Sequence, residues 1–495
     1  MSKRLCLALI LLGQLIPQAF SQPPASQPPA SQPPGQPPGD PGSERHPPIP
    51  EGDGSRLGAY TTVTEAGLVP EHLYNIVLGA PQEDSIVASV LAFDDLSVYI
   101  EYGQSAEKYT GKTESVNIKS GEPLELSLTD LDADSRYYYQ LRYQAAGDKD
   151  ISASAVYSFH TARDVDSEFV FTVQSDSHLD ENTSGEVYSK ALTNALAQSP
   201  DFHLALGDTF MTGKYTEYQL SEPQYRAQRY YLGSFLTHSA PLFFSLGNHD
   251  AESGDIERKT WATNTRNKYF PNPAPSDFYT GNKEQEADIG YVKNYYSWDW
   301  GNSQFIVLDP HRYSPEKDET KKNGNWNFTL GPDQYQWLTE TLESSEAEFK
   351  FVFLHNLVGA SHQGRGGAEA SELFEWGGLS FDGTDAFEQE RPDLAKPIHQ
   401  LLVENDVSVV FHGHDHMYIH QERDGLVYQL VPQPGHPSGG TASAKQYGYL
   451  QGDIIEGAGH ISVSVKADEV DVQFIRASTD ESKNAKVLHS YSIES

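Results

Sequence analysis

Leu242-Phe243-Phe244-Ser245-Leu246-Gly247-Asn248-His249-Asp250 is an apolar run that ends abruptly in a polar cluster. A short run without apolar/polar alternation reads as a strand buried on both faces. Gly247 stands where such a strand must turn sharply or let backbone come close to a bound group. The same grammar recurs four times. Phe169-Val170-Phe171-Thr172-Val173 leads to Asp176-Ser177-His178, and Phe202-His203-Leu204-Ala205-Leu206 leads to Gly207-Asp208. Phe351-Val352-Phe353-Leu354 leads to His355-Asn356, and Val407-Ser408-Val409-Val410-Phe411 leads to His412-Gly413-His414-Asp415-His416. Ligand-binding groups in open α/β sheets gather at the carboxyl ends of the strands, so the five clusters are expected to converge.

The strands alternate with helical patterns from Ser167 onward. One helix is expected to open at Thr183-Ser184-Gly185-Glu186, a capping-box pattern, and to stop before Pro200. A second opens at Pro332 with Tyr335, Leu338 and Leu342, and a third carries Leu394, Ile398, Leu401 and Leu402 at helical spacing. The pairs 461–465 and 470–475 read as a closing hairpin of a second sheet, with residues 479–495 as a tail.

The clusters supply Asp, His and Asn. Carboxylate, imidazole and amide oxygen suit Mn, Fe and Zn. The only cysteine is Cys6, so thiolate ligands and disulfides play no part further along the chain. An isolated Gly-Asp or Asp-x-His is common loop composition. Five such clusters, each behind a strand, are hard to explain as solvated loops, because a buried group of unpaired Asp and His is costly without a cation.

Upstream, residues 74–162 read as all-β. Ile86-Val87-Ala88-Ser89-Val90-Leu91 and Val98-Tyr99-Ile100-Glu101-Tyr102 are β-branched and aromatic, and Tyr137, Tyr139, Leu141 and Tyr143 share one face. Segment 128–139 resembles the corner before a late strand in fibronectin type III domains, where a Tyr hydroxyl bonds back to the backbone. Residues 22–56 begin with SQPPA-type repeats and are expected to form a stiff spacer without a core. Lys3 and Arg4, the apolar run 5–12 and Ala19-Phe20-Ser21 read as a signal peptide (1–21), which implies a secreted or periplasmic protein. The run is too short to span a bilayer, and no later segment approaches a membrane span. Removing 1–21 takes away two bases and no acid, moving the net charge from −35 to −37. That balance argues against nucleic acid as a partner. It also means that any attraction for an anionic substrate must be local.

The order Asp-x-His, Gly-Asp, Gly-Asn-His-Asp, lone His, Gly-His-x-His resembles the calcineurin-like metallophosphoesterase family. With the fibronectin-like segment before it, the chain is similar to purple acid phosphatases over about residues 75–478. The resemblance implies an αββα sandwich of two mixed sheets with flanking helices over 167–478, preceded by an all-β sandwich. It implies two divalent metal ions (Mn, Zn or Fe). Asp176, His178, Asp208 and His416 would hold one; Asp208, Asn248, His355 and His414 would hold the other. A hydroxide held by the metals would attack a small phosphate ester, with His249 contacting the phosphoryl or leaving oxygen and Asp250 orienting His249. One departure stands out: where purple acid phosphatases carry the tyrosine that colours their ferric iron, this chain has Met211, and it has His178 where they lack a histidine.

Other residues carry weaker signals. Arg365, on the Gly-rich segment His362-Gln363-Gly364-Arg365-Gly366-Gly367, is a candidate phosphate clamp, with His362 beside it; the alternative is a mobile surface loop. His203 and His412 read as packed histidines. Asp309, His311 and Arg312 read as ordinary residues near the rim. The function expected is hydrolysis of phosphate monoesters. A phosphodiesterase, and a cell-surface binding protein that has lost activity, remain as alternatives. The motifs leave the oligomeric state open.

Overall fold

The computed structural model describes residues 69–180, 182–314, 324–361 and 364–495. The expected signal peptide, the Pro-rich spacer and His362 lie outside the described residues.

Strands from Tyr74 to His160 form two facing antiparallel sheets. One has the order Tyr74–Gly79, Ile86–Ala92, Leu124–Leu128. The other is built on Leu96–Gly103 paired with Arg136–Ala145. Val90, Ile100, Leu126, Tyr139, Leu141 and Phe159 fill the space between them. The period-2 alternation of Tyr137, Tyr139 and Leu141 therefore points into this core, as β-geometry requires. Tyr137 Oη accepts the Asp132 N–H at 2.8 Å, the back-bond expected at the corner.

The β-sandwich is fastened to the following domain through buried polar contacts. Arg229 donates to Asn75 Oδ1 at 2.7 Å, to the Ser89 carbonyl at 2.6 Å and to the Tyr269 carbonyl. Tyr139 Oη donates to the His238 carbonyl at 2.7 Å.

The α/β part has two sheets. The six-stranded sheet runs Leu242–Phe244, Phe202–Ala205, Phe169–Gln174, Ala458–Val465, Glu469–Ala477, Val487–Glu494, with its first three strands parallel. The eight-stranded sheet contains the parallel run Ser303–Val307, Phe349–Phe353, Val409–His412, Leu426–Leu430. Phe171, Val173, Phe202 and Leu204 of the first sheet meet Phe305, Phe351, Phe353 and Phe411 of the second. Helices Gly185–Leu196 and Glu222–Phe235 cover the first sheet, and Pro332–Glu343 and Ile398–Glu404 cover the second, completing four layers.

Four expectations need correction. The first helix is capped by Ser184, not Thr183: Ser184 Oγ accepts the Val187 N–H, while the Thr183 hydroxyl turns to Asp180. The third helix starts only at Ile398, because Pro397 sits at its N-cap and Leu394 lies outside it. The 458–465/469–477 hairpin joins the sheet of the first cluster, beside Phe169–Gln174, not the second sheet. Residues 479–495 are not a loose tail, since Val487–Glu494 pairs along Glu469–Ala477 as the edge strand. Among the described residues no helix is long and apolar enough to cross a membrane.

Candidate metal centre

Three clusters leave the parallel strands of one sheet and two leave those of the other, so all five meet at one end of the sandwich. The approach is close enough to require glycine. A Cβ on Gly247 would collide with Asp208, and one on Gly413 would strike Ser175 Oγ and stand 2.6 Å from Asp176 Oδ2. The turns are also forced: Asp176, His178, Asp208, His414 and His416 all adopt positive φ, between 48° and 75°. Each such non-glycine residue costs of order 1–3 kcal/mol, and such strain persists where the surrounding structure dictates it.

Two groups of ligand-type atoms result, each with all its atoms within 4.8 Å of one another: Asp176, His178, Asp208 and His416, then Asp208, His355 and His414. Asp208 belongs to both. His416 Nε2 lies 3.2 Å from Asp176 Oδ1, and His178 Nε2 lies 3.6 Å from both Asp176 Oδ1 and Asp208 Oδ2. His355 Nε2 lies 3.4 Å from Asp208 Oδ2 and 3.2 Å from His414 Nδ1. Several of these gaps exceed a normal hydrogen bond. They match the spacing of atoms that share a cation at about 2.1 Å.

The histidines are aimed by their other ring nitrogens. His178 Nδ1 lies 3.1 Å from Asp180 Oδ2, and His355 Nδ1 donates to the Leu206 carbonyl at 2.7 Å. Each Nε2 is thereby left for the centre, the usual arrangement behind a metal-binding imidazole. Asp176 Oδ1, His178 Nε2 and Asn248 Oδ1 are buried without a hydrogen-bond partner. Against burial, His416 and His355 hold the Asp176 carboxyl well below its usual range, and His355 and His249 do the same for Asp208. Against burial in turn, the carboxylates carry His355 up to about 9 and raise His178 well above its usual value. The pocket thus demands positive charge. Oxygen and imidazole donors with orphaned atoms fit divalent cations.

His249 sits beside this centre, with Nε2 3.8 Å from Asp208 Oδ2. Burial pushes its basicity down to about 3, so its ring is neutral. Lys214 contributes to that shift. Sequence reasoning missed it, because nothing near Met211 marks a cation as close to His249.

Asp250 does not orient the His249 ring as expected. Its Oδ1 accepts the N–H groups of Thr209 and Phe210 at 2.9 and 2.8 Å. Its Oδ2 accepts those of Asp208 and Gly247 at 3.0 and 2.8 Å. It ties the Gly-Asp turn to the Gly-Asn-His-Asp turn. Burial and the Asp208 charge raise its carboxyl pKa, yet four donors need both oxygens as acceptors.

Arg365 is anchored rather than mobile. Nη1 donates to Asp415 Oδ1 at 2.6 Å, and the guanidinium lies 4.1 Å over the Tyr447 ring. Asp415 is further held by the Gly366 N–H and the Tyr449 hydroxyl. His203 and His412 are buried packing residues, both pushed down to about 3 by burial. Arg312 pairs with Glu286 and Asp309 accepts backbone N–H groups of its own turn. His311 packs against His355 at 5.9 Å between ring centroids.

The calcineurin-like phosphoesterase family profile matches residues 169–418, just over half the chain and all five clusters. The chain belongs to the calcineurin-like phosphoesterase family. This phosphoesterase is therefore a hydrolase of phosphoric ester bonds, with clustered Asp and His residues able to bind metals. Its fold is similar to that of PhoD, with a TM-score of 0.62 at 13% identity over 88% of this chain and 91% of that one. It is also similar to the purple acid phosphatase PPD1 of yellow lupin (Lupinus luteus) seeds, with a TM-score of 0.57 at 14% identity over 85% of this chain and 74% of that one. The all-β segment followed by an αββα sandwich matches that architecture. Comparison with curated proteins gives no match.

Proposed function

We propose that this phosphoesterase carries two divalent ions and hydrolyses phosphate monoesters outside the cytoplasm. The observation that carries the reading is Asp208, a single buried carboxylate common to both donor groups. A shared carboxylate is what holds two cations close enough to clamp one phosphoryl group. Asp176, His178, Asp208 and His416 would hold one ion; Asp208, Asn248, His355 and His414 would hold the other. When bound, ions of the Mn, Zn or Fe type supply Lewis-acid charge and lower the pKa of water to about 7.

The chain's own residues position and discriminate. His249, neutral and beside Asp208, donates a hydrogen bond where negative charge develops on the phosphoryl or leaving oxygen. Arg365 is pinned by Asp415 and Tyr447, and Lys214 stands near His249. The Arg365 charge is balanced by Asp415, so Lys214 supplies the local positive charge in a chain of net charge −35. That arrangement favours a monoester dianion over a singly charged diester. Lys3, Arg4 and the short apolar run 5–12 support the export reading.

The test is metal analysis of the purified protein with parallel assays on nitrophenyl phosphate and bis(nitrophenyl) phosphate. Two equivalents of metal and faster monoester turnover are expected. Faster diester turnover would overturn the monoester reading. Loaded metal with no turnover of either ester would favour a binding protein.

A further inference from the structure

Asp415 stands between two candidate ligands that belong to different donor groups: His414 lies with Asp208 and His355, and His416 lies with Asp176, His178 and Asp208. Adjacent imidazoles must therefore reach in two directions from one short turn. Both histidines adopt positive φ, 75° at His414 and 62° at His416. Backbone strained on both sides of one residue persists only where its neighbours dictate it. From within the site, the Gly413 N–H donates to the His355 carbonyl at 2.8 Å and the His414 N–H donates to Asp176 Oδ2 at 2.9 Å. These bonds hold the start of the turn and leave its middle to be fixed from outside.

Asp415 belongs to neither donor group, and its buried carboxylate is taken up by the neighbouring loops. Oδ1 accepts Arg365 Nη1 at 2.6 Å, while Oδ2 accepts the Gly366 N–H at 3.0 Å and the Tyr449 hydroxyl at 2.8 Å. Arg365 Nη1 also lies 3.4 Å from the His414 carbonyl, so one guanidinium nitrogen touches both the side chain and the backbone of the turn. The loop that brings Arg365 there is closed on itself, with the Ser361 N–H donating to the Arg365 carbonyl at 2.9 Å. Its far end is fastened to Tyr418–Arg423, the strand that follows His416. The Ala368 N–H donates to Gln421 Oε1 at 2.9 Å, and Arg423 Nη1 donates to the Ala368 carbonyl at 3.1 Å. A phosphate clamp needs guanidinium donors and charge held ready for the ligand. Here Asp415 balances the charge and Tyr447 covers one face of the group, which suits a brace.

We propose that Arg365 and Asp415 are positioning residues, a charged pair that braces the turn so that His414 and His416 reach two different ions, with no contact of their own to phosphate. This rests on the two-ion reading above. Two roles compete with it. In one, Arg365 binds the phosphoryl group; in the other, the pair only anchors a surface loop. Asp415→Asn separates them, because its amide oxygen still serves Gly366 and Tyr449 while its NH2 faces the Arg365 donors and breaks that link alone.

The experiment titrates Mn²⁺, with Zn²⁺ in parallel, into the full metal-free chain by calorimetry, for wild type, Arg365→Met, Asp415→Asn and the double variant. Inorganic phosphate is then titrated at saturating metal, and melting is followed alongside. Residues behind a metal ligand are worth about 10–100-fold in metal affinity. Metal affinity weakened at least about tenfold in each single variant, no further loss in the double variant, and phosphate affinity close to wild type once the ions are loaded are the expected results. Wild-type metal affinity in Asp415→Asn would overturn the brace, and a lowered melting point beside it would leave loop anchoring as the role. Unchanged metal affinity with weakened phosphate binding in Arg365→Met would overturn it in favour of the clamp. Should Arg365→Met fail to fold, Asp415→Asn decides alone. A wild type that takes up neither ion overturns the two-ion reading and the brace with it; a wild type that takes up two while the variants bind equally well sinks the brace alone.

Discussion

Asp176 Oδ2 accepts the backbone N–H of His414 at 2.9 Å, joining the first cluster to the last across 238 residues of sequence. Its other oxygen, Oδ1, has no hydrogen-bond partner and stands 3.2 Å from His416 Nε2. One carboxylate thus sets the backbone of one candidate ligand while facing the site with its free oxygen. Asp176→Asn keeps an acceptor for His414 but loses the charge. We expect a marked drop in bound metal with a modest change in the unfolding midpoint of the metal-free protein. Full metal occupancy in the variant would contradict the assignment. By the same linkage, chelation should lower the melting temperature of wild type and added Mn or Zn should restore it, since ions that bind only the folded state stabilise it.

Asp250 holds four backbone N–H groups from two turns. An amide offers only one acceptor oxygen, so Asp250→Asn should orphan donors, destabilise the fold by about 2–4 kcal/mol and displace Asp208 and Asn248. Denaturant melts and turnover should fall together. A variant of normal stability with a loss confined to turnover would restore the orienting role toward His249.

Arg229 is fully buried, makes its hydrogen bonds to Asn75 and two carbonyls, and has no carboxylate partner within salt-bridge distance among the described residues. Removing it should weaken the seat of the sandwich on the α/β domain by leaving those acceptors unsatisfied. Arg229→Met is expected to cost about 2–4 kcal/mol while the surviving folded protein keeps its metal. Unfolding by denaturant with metal analysis checks both. A neutral effect on stability would mean that Arg229 does not hold the sandwich, leaving that to apolar contact and bonds such as Tyr139 to the His238 carbonyl.

His460 is buried with neither ring nitrogen hydrogen-bonded, and burial pushes it down to about 3 from an ordinary 6.5. The unfolded chain therefore binds a proton here that the folded chain refuses between those values. Stability associated with this group is complete above about 6.5 and is lost as pH falls toward 3. His460→Leu gives up no hydrogen bond and should flatten the loss of stability between pH 7 and pH 4.5. Urea melts at the two pH values would show it, and an unchanged difference would refute it.

The strand-then-cluster grammar was legible because buried parallel strands must be apolar on both faces and must end at the site. Asp176, Asp208, Asn248, His355, His414 and His416 could be named from that pattern and the resemblance it supports. The residues that aim them could not. Asp180 sits two residues after His178 but looks like loop composition, and the Leu206 carbonyl that directs His355 is backbone, which carries no sequence signature. Asp250 was legible as a site residue but misread, since adjacency to His249 in sequence says nothing of where a side chain turns. Lys214 comes near His249 because the Gly213 N–H donates to the His249 carbonyl at 2.8 Å, a contact between two loops that carries no sequence signature. The edge strand Val487–Glu494 was legible in the strict alternation of Ser490-Tyr491-Ser492-Ile493-Glu494 and was missed because it follows a polar turn near the end of the sequence.

In the proposed reading, Asp208 joins two cation sites into one catalytic centre. The most direct measurement is metal stoichiometry per chain, with turnover, in wild type and Asp208→Asn. Two equivalents in wild type, and loss of most metal and activity in a variant that still unfolds cooperatively, are predicted. A single equivalent in wild type, or full metal and full turnover in Asp208→Asn, would contradict the account.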